Sequence, residues 1–281
     1  LDWGFNKHPP MSAFFSEVFF QIFGSQDWAY YLLSQIFIII AFFVIFKFSE
    51  EFFDDKKFAF FSVILLEGIY FYNFTSPEFN VNISQIPFWA LSIFFSWRCF
   101  KYNLTKDFVF LGIFFGLGIL SKYLFIYLVF GTLLLFIYSL SKKKIHILNI
   151  LITGIITSII LIPHIMWLFD NSFSTIFYGL YRTGGIGNLL DHLIFPFTLF
   201  VKQIGILIPF LIMCFFLLNK PNLNLNFKRE KIIFLFFMVI TPILMMIITS
   251  FLLGVKIRTM WMTPFYLFFG TLFVYLLKSK I

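Results

Sequence analysis

Of the 281 residues in this chain, 60% are hydrophobic, 23% are aromatic and only 12% are charged. A water-soluble domain is nearer half apolar and a quarter charged, so a mean hydropathy of +0.94 excludes a soluble fold and marks an integral membrane protein. The net charge of +8 does not argue for nucleic acid, which is not expected as a partner, because lysine and arginine collect on the cytoplasmic side of membrane proteins.

The chain opens on a polar, proline-stiffened loop that includes Asp2, Lys7, His8, Pro9 and Pro10. It has no starting Met and no signal peptide, so we expect it to be cut within a loop, with at least one span preceding it. Residues 10–24 are too short and mixed to cross a bilayer. Their apolar positions 14, 15, 18, 19, 22 and 23 form one helical stripe, which predicts an amphipathic surface helix started by Pro10. Residues 1–27 are therefore read as an outer loop with a surface helix.

Nine apolar stretches follow, at 28–46, 58–75, 83–100, 107–121, 123–140, 145–162, 193–218, 232–253 and 260–277. As one helix, 107–140 would be roughly 50 Å long, against a hydrocarbon core of roughly 30 Å. Both of its flanks are basic, so a hairpin turning at Ser-Lys-Tyr, 121–123, is expected. Glu67 lies inside an apolar stretch, and an intramembrane acid faces a cavity or a packing partner. Cys99 and Cys214 fall in apolar runs and offer no disulfide framework. The short, charged segments 47–57 and 219–231 read as connectors. No repeat or soluble domain interrupts the chain, so 1–281 is read as one all-α, polytopic transmembrane domain of about nine helices plus the interfacial one.

Alternating the stretches from an outer opening loop places 15 of the 21 basic residues on the cytoplasmic side. Lys7, Lys122, Arg182, Lys202, Lys256 and Arg258 remain on the outer side or in outer halves of spans. This asymmetry predicts a cytoplasmic C-terminus and a multi-pass protein of the inner, or plasma, membrane. Topology does not call for outer-face cations, and the polar groups there gather in four places. These are the opening loop, 75–82, the 121–123 turn, and an outer loop over 163–192 that holds His164, Asp170, Tyr178, Tyr181, Arg182 and His192. Together they predict a partly cationic cavity suited to a lipid phosphate or pyrophosphate. The four histidines form no metal set, and a lone histidine is more often structural. No Gly-rich phosphate loop, Ser-His-Asp or HExxH pattern is present. The Thr-Gly-Gly-Ile-Gly run at 183–187 follows no strand and reads as loop.

Four segments in order carry a family likeness: LDWGFNKHPPMSAFF (1–15), FNVNISQIPFWAL (79–91), GLGILSKYLFIYLV (116–129) and LIPHIMWLFDNSF (161–173). From residue 1 to about 182 the chain resembles bacterial glycosyltransferase family 39. This is the dolichyl-phosphate-mannose-protein mannosyltransferase-like group, which also resembles the aminoarabinose lipid A transferases. The resemblance implies a C-type membrane glycosyltransferase with an active site on the outer, periplasmic face. A sugar would pass from a polyprenyl-phosphate donor to a lipid, glycan or protein acceptor, among membrane lipids. Relatives place the catalytic acid in an Asp-Glu pair upstream of the position of Leu1. This chain lacks that pair, so by itself it is expected to be inactive, with Asp2 the nearest surviving acid for the base.

His8 aligns with a phosphate-facing lysine of relatives. Lys7, Lys122, Tyr123, His164 and Arg182 are the further donor- or acceptor-binding candidates. Asn80 and Asn82 suit sugar hydroxyls, or equally the capping of the helix that follows. No metal ligands are assigned, no cofactor is implied, and a need for a divalent metal stays open. The rival class is a transporter or flippase of lipid-linked sugars, which calls for inverted repeats and midplane charges in both halves; a non-catalytic membrane subunit is a third reading.

Overall fold

The structure, a computed structural model, describes residues 2–184, 188–217 and 229–277. Most of the 219–231 connector, Gly185–Gly187 and the final Lys278 and Lys280 lie outside the described residues. In chain order the α-helices are α1 (Met11–Phe23), α2 (Asp27–Phe52), α3 (Lys56–Ile64), α4 (Tyr70–Asn73), α5 (Val81–Ser84), α6 (Ile86–Tyr102), α7 (Thr105–Ser121), α8 (Ile126–Ser141), α9 (Ile147–Asp170), α10 (Ser174–Thr183), α11 (Asp191–Phe216), α12 (Arg229–Leu235), α13 (Thr241–Leu253) and α14 (Phe269–Leu277). Among the described residues there is no strand, so the protein is all-α as expected.

Five helical segments are long and apolar enough to cross a membrane, or six if the bent pair 259–266 and 269–277 counts as one span. That is fewer than the nine stretches marked in the sequence, and the differences are local. α6 and α7 have 17 residues each, or about 25 Å of helix. The 58–75 stretch is broken: α3 ends at Ile64, a 3-10 turn covers Leu65–Gly68, and α4 adds one turn. At the break the backbone of Phe210 on α11 lies 2.6 Å from where a Cβ on Gly68 would stand, so two backbones meet there. Glu67 sits exposed in this break. The last stretch bends by 53° between a 3-10 segment containing Pro264 and α14. Between α12 and α13 the chain makes a π-helical turn over Phe236–Ile240. The carbonyl oxygen of Phe237 in that turn lies 2.5 Å from where a Cβ on Gly131 of α8 would stand.

The 107–140 run breaks where expected. Lys122 is extended (φ −165°, ψ 134°) between α7 and a 3-10 turn at Tyr123–Phe125. Phe108 at the start of α7 meets Phe136 near the end of α8, ring centroids 5.5 Å apart, so the chain doubles back. α7 packs most closely on α9. Its Gly112 and Gly116, spaced as in a small-xxx-small motif, admit Ile156 and Ile160, and Thr157 donates a 3.0 Å hydrogen bond to the Gly112 carbonyl.

The two sets of loops separate to opposite ends. At one end Arg98 bridges Glu51 at 2.8 Å and Asp107 at 3.0 Å, Lys144 pairs with Glu230, and Lys231 reaches the Phe52 carbonyl. An aromatic cluster of Phe48, Phe52, Trp97, Phe234 and Phe268 underlies this end. At the other end lie the opening loop, α5, the Lys122 joint, α10 and the segment after α13.

Candidate functional site

The opening loop is tied before it reaches α1. Phe5 and His8 exchange backbone hydrogen bonds of 3.4 and 3.3 Å, closing a tight turn, and Pro9 and Pro10 then feed α1. Gly4 lies against Trp167 of α9; a Cβ at Gly4 would come within 2.4 Å of that indole, so only glycine lets the loop approach so closely. The Trp3 carbonyl accepts from His164 Nδ1 at 2.6 Å. Because a carbonyl only accepts, Nδ1 carries the proton, and Nε2 of neutral His164 accepts from the Tyr123 hydroxyl at 2.8 Å. Thr175 of α10 then donates to the Tyr123 oxygen at 2.9 Å. One buried imidazole, stacked on Trp167, thus joins the opening loop, the α7–α8 joint and α10.

These segments enclose a cavity of about 350 Å³. Lys7, His8, Asn82, Lys122, Tyr123, Arg182 and Arg258 supply its polar wall, and Tyr178 and Trp261 its aromatic one. Lys122 is buried, with 6% exposure, and donates to the Asn82 Oδ1 oxygen. Its ammonium also lies over the Trp261 ring at 5.4 Å. Among the described residues no carboxylate is paired with it, and burial pushes its pKa down to about 7. His8, edge-on to Tyr178, is pushed down to about 4, first by burial and then by Lys122, Arg182 and Lys7. Arg182 lies over Tyr178 at 5.6 Å. Among the described residues no carboxylate lines this cavity. Lys122 is thus a buried positive charge at its wall, with Lys7, Arg182 and Arg258 exposed around it, an arrangement that suits an anion.

The residues singled out from the sequence divide clearly. Lys7, His8, Asn82, Lys122, Tyr123 and Arg182 come together on the cavity. His164 sits behind Tyr123 as its hydrogen-bond partner. Asn80 caps α5, its side chain accepting from the backbone of Asn82 and Ile83. Asp2 is exposed, and its carboxylate accepts from the Trp3 backbone N–H at 2.8 Å. The expected 163–192 loop is largely helical: α9 runs through Pro163 to Asp170, and α10 follows after a left-handed turn at Ser172 and Phe173. Among the described residues no three His, Cys, Asp or Glu side chains gather to hold a metal.

Arg258 and Trp261 are the site residues that the sequence reading missed. Gly254, left-handed at φ 58°, ends α13, and the chain turns back over His192 into the site. A bond from the Lys256 N–H to the Thr183 carbonyl, 3.1 Å, ties this segment to the end of α10. The signal was present in Lys-Ile-Arg-Thr-Met-Trp, 256–261: a basic and aromatic run at the end of the molecule where the charge rule leaves few cations.

Fold and site together define a polytopic membrane protein with a cavity lined by basic and aromatic side chains at one end of its helices. The family profile described as dolichyl-phosphate-mannose-protein mannosyltransferase matches residues 7–167, more than half of the chain. The chain belongs to that glycosyltransferase family. Its fold is also similar to the crystal structure of ArnT from Cupriavidus metallidurans bound to undecaprenyl phosphate, with a TM-score of 0.67 at 13% sequence identity. The match covers 96% of this chain and 50% of that one, so the chain spans about half the length of the solved protein. No curated protein matches the chain.

Proposed function

We propose that the protein moves a sugar from a polyprenyl-phosphate donor to a lipid, glycan or protein acceptor at the outer face of the inner membrane. The observation that carries this reading is the meeting of Lys7, His8, Lys122, Arg182 and Arg258 around one cavity walled by Tyr178, Trp261 and apolar side chains. In a transfer of this class the bond from sugar C1 to the phosphate oxygen breaks, and the electron pair leaves with the lipid phosphate. Charge grows on that phosphate, and preorganised cations in a water-poor site stabilise it more than they stabilise the donor. Lys122 is held in place by Asn82 and Trp261, so it needs little reorganisation to take this role. Arg182 and Arg258 offer planar, bidentate donors for the same oxygens. The acceptor hydroxyl must lose a proton to a base; Asp2 is the nearest acid in this chain, but it is exposed and does not line the cavity. The likeness to a protein solved with undecaprenyl phosphate supports the choice of donor. The preponderance of basic residues at the other end of the helices supports the outer face.

The test uses the full-length protein in lipid nanodiscs, with binding of undecaprenyl phosphate measured at equilibrium. Wild type binds, and Lys122→Met with Arg258→Gln does not. Equal binding by that variant refutes the donor site. Movement of a fluorescent polyprenyl-phosphate lipid between leaflets, without transfer of its sugar, refutes the reaction in favour of a flippase. Intact transfer in Asp2→Asn removes Asp2 from the base role.

A further inference from the structure

The 3-10 segment Thr259–Tyr266 carries Trp261, whose ring centroid lies 5.4 Å from the buried Lys122 ammonium. It belongs to the bent pair that counts as the last span, so its backbone groups need partners that water does not supply. The 3-10 form bonds poorly, and Pro264 has no N–H to offer the carbonyls of the preceding turn. Side chains stand in. The Thr263 hydroxyl donates to the Met260 carbonyl at 2.6 Å. The Tyr72 hydroxyl, from α4 beyond the break at Gly68, donates to the Thr263 carbonyl at 2.7 Å. The Tyr266 hydroxyl donates to Gln203 Oε1 of α11 at 2.9 Å. Tyr72, Thr263, Tyr266 and Gln203 are all buried.

These bonds fix the segment from two sides. Tyr72 holds it two residues beyond Trp261, and Tyr266 holds its far end. The Tyr266 ring is also stacked on Phe71, 8° from parallel with centroids 6.2 Å apart. Neither tyrosine is among the described residues that line the cavity. What they set is the place of the Trp261 ring over Lys122. A cation is attracted to an aromatic face within about 6 Å of its centroid, so a displacement of under about 1 Å ends the contact. Apart from Trp261, the Lys122 ammonium has Asn82 Oδ1 as its partner among the described residues.

We propose that Tyr72 and Tyr266 are positioning residues for the site: their hydroxyls hold Trp261 over Lys122 and so fix the cation that faces the donor phosphate. Both act through Trp261, and neither touches the substrate. The break in the 58–75 stretch is then part of the site, since α4, which follows the break, delivers Tyr72. The consequence for the donor rests on the reading above; the hold on Lys122 does not.

The experiment uses full-length protein in phosphatidylcholine nanodiscs, as wild type, Tyr72→Phe and Tyr266→Phe, each also combined with Trp261→Leu. Trace acetylation with acetic anhydride over a pH series, read by mass spectrometry of the Lys122 peptide, gives the titration midpoint of Lys122 with no ligand present. The other charged groups on the cavity, Lys7, His8, Arg182 and Arg258, are the same in every variant. Each tyrosine variant lowers the midpoint by about 0.5–1 unit, the shift that a weakened cation–π contact gives. It also weakens equilibrium binding of undecaprenyl phosphate about 3- to 10-fold at about pH 8, where charging Lys122 is part of binding. With Trp261→Leu already in place, neither hydroxyl deletion moves the midpoint or the affinity further. An unchanged midpoint in either folded variant overturns the inference for that tyrosine. A shift that persists undiminished without Trp261 overturns it for both, because it means a general loosening of the fold. Tyr266→Phe strands no backbone carbonyl, so it carries the test alone where Tyr72→Phe does not fold. Failure of wild type to bind undecaprenyl phosphate, with the midpoint shifts still seen, overturns the donor reading and leaves the positioning of Lys122 standing.

Discussion

Lys122→Met separates the role of charge at the donor site from the role of packing. Methionine keeps the length and apolar stem of the lysine, so the buried joint between α7 and α8 remains filled, and the cost of the change falls on lost interactions. In the empty protein these are the hydrogen bond to Asn82 Oδ1 and the contact with Trp261. In the donor complex the missing contact is a charge-assisted bond to phosphate, worth about 1.5–3 kcal/mol, or roughly 10- to 150-fold in Kd.

The pH dependence gives a second readout. Burial places the Lys122 pKa at about 7 in the empty cavity, and a bound phosphate favours the charged form and raises it. From pH 7 up to that raised value, binding takes up as much as about one proton, and affinity falls by up to about tenfold per pH unit as pH rises. Below pH 7 this group adds no slope. Of the other groups on the cavity, Arg182 and Arg258 keep their charge. His8, held at about 4, is neutral throughout that window in the empty protein, and Lys7 also faces the site. Equilibrium binding of undecaprenyl phosphate between pH 6 and about 9, run on wild type and Lys122→Met, measures both effects. A Kd in the variant within about twofold of wild type, or a wild-type affinity that is flat above pH 7, refutes the phosphate-facing role.

His8→Ala replaces a neutral donor, so it weakens undecaprenyl phosphate binding by only about 0.5–1.5 kcal/mol, roughly 2- to 12-fold at neutral pH; an effect as large as that of Lys122→Met shows instead that His8 is charged there. Arg98→Met strands the buried Asp107, whose second oxygen already has no partner, and lowers stability by about 3–5 kcal/mol; thermal melting in detergent reports this, and Arg98→Met with Asp107→Leu recovers much of it. Cysteines introduced singly at Lys143 and Tyr181 react with an impermeant maleimide from opposite sides, Tyr181 from outside, over a low background because Cys99 and Cys214 are buried; labelling of both from one side defeats the proposed topology.

The sequence showed where the chain leaves the apolar phase more reliably than how it crosses it. The break at Lys122 was legible because length and flanking charge pointed to the same turn. The break at Gly68 was not, since its cause is a backbone contact with Phe210, more than a hundred positions away in the chain. Likewise, composition marks α7 as apolar, yet its place against α9 depends on two glycines whose role appears only when the neighbour is known. At the site, Lys7, His8, Asn82, Lys122, Tyr123 and Arg182 lie within or beside recognisable segments. Arg258 and Trp261 follow α13, where the family likeness had already faded. His164 shows the limit of residue type as a guide. Its chemistry suits a ligand contact, but its two ring nitrogens are occupied by the Trp3 carbonyl and the Tyr123 hydroxyl.

The π-turn at Phe236–Ile240 decides where this part of the chain tolerates the loss of a residue. An α-helix turns by about 100° for each residue, and a π-turn takes in one residue more than an α-turn for about the same rotation. Deleting one residue inside the turn would restore a plain helix and leave α13 facing nearly as before. Deleting one residue of α13 between the turn and Thr249 would instead rotate all that follows by about 100°. Thr249 would swing away from the Tyr127 hydroxyl it now receives at 3.0 Å, and the segment that brings Arg258 and Trp261 to the site would leave α13 in another direction. Hydropathy would register neither change. The geometry of a polar site at one end of the protein is thus set by residue number in the plain part of a helix inside the bilayer, and the wide turn is the place where one residue can be given up.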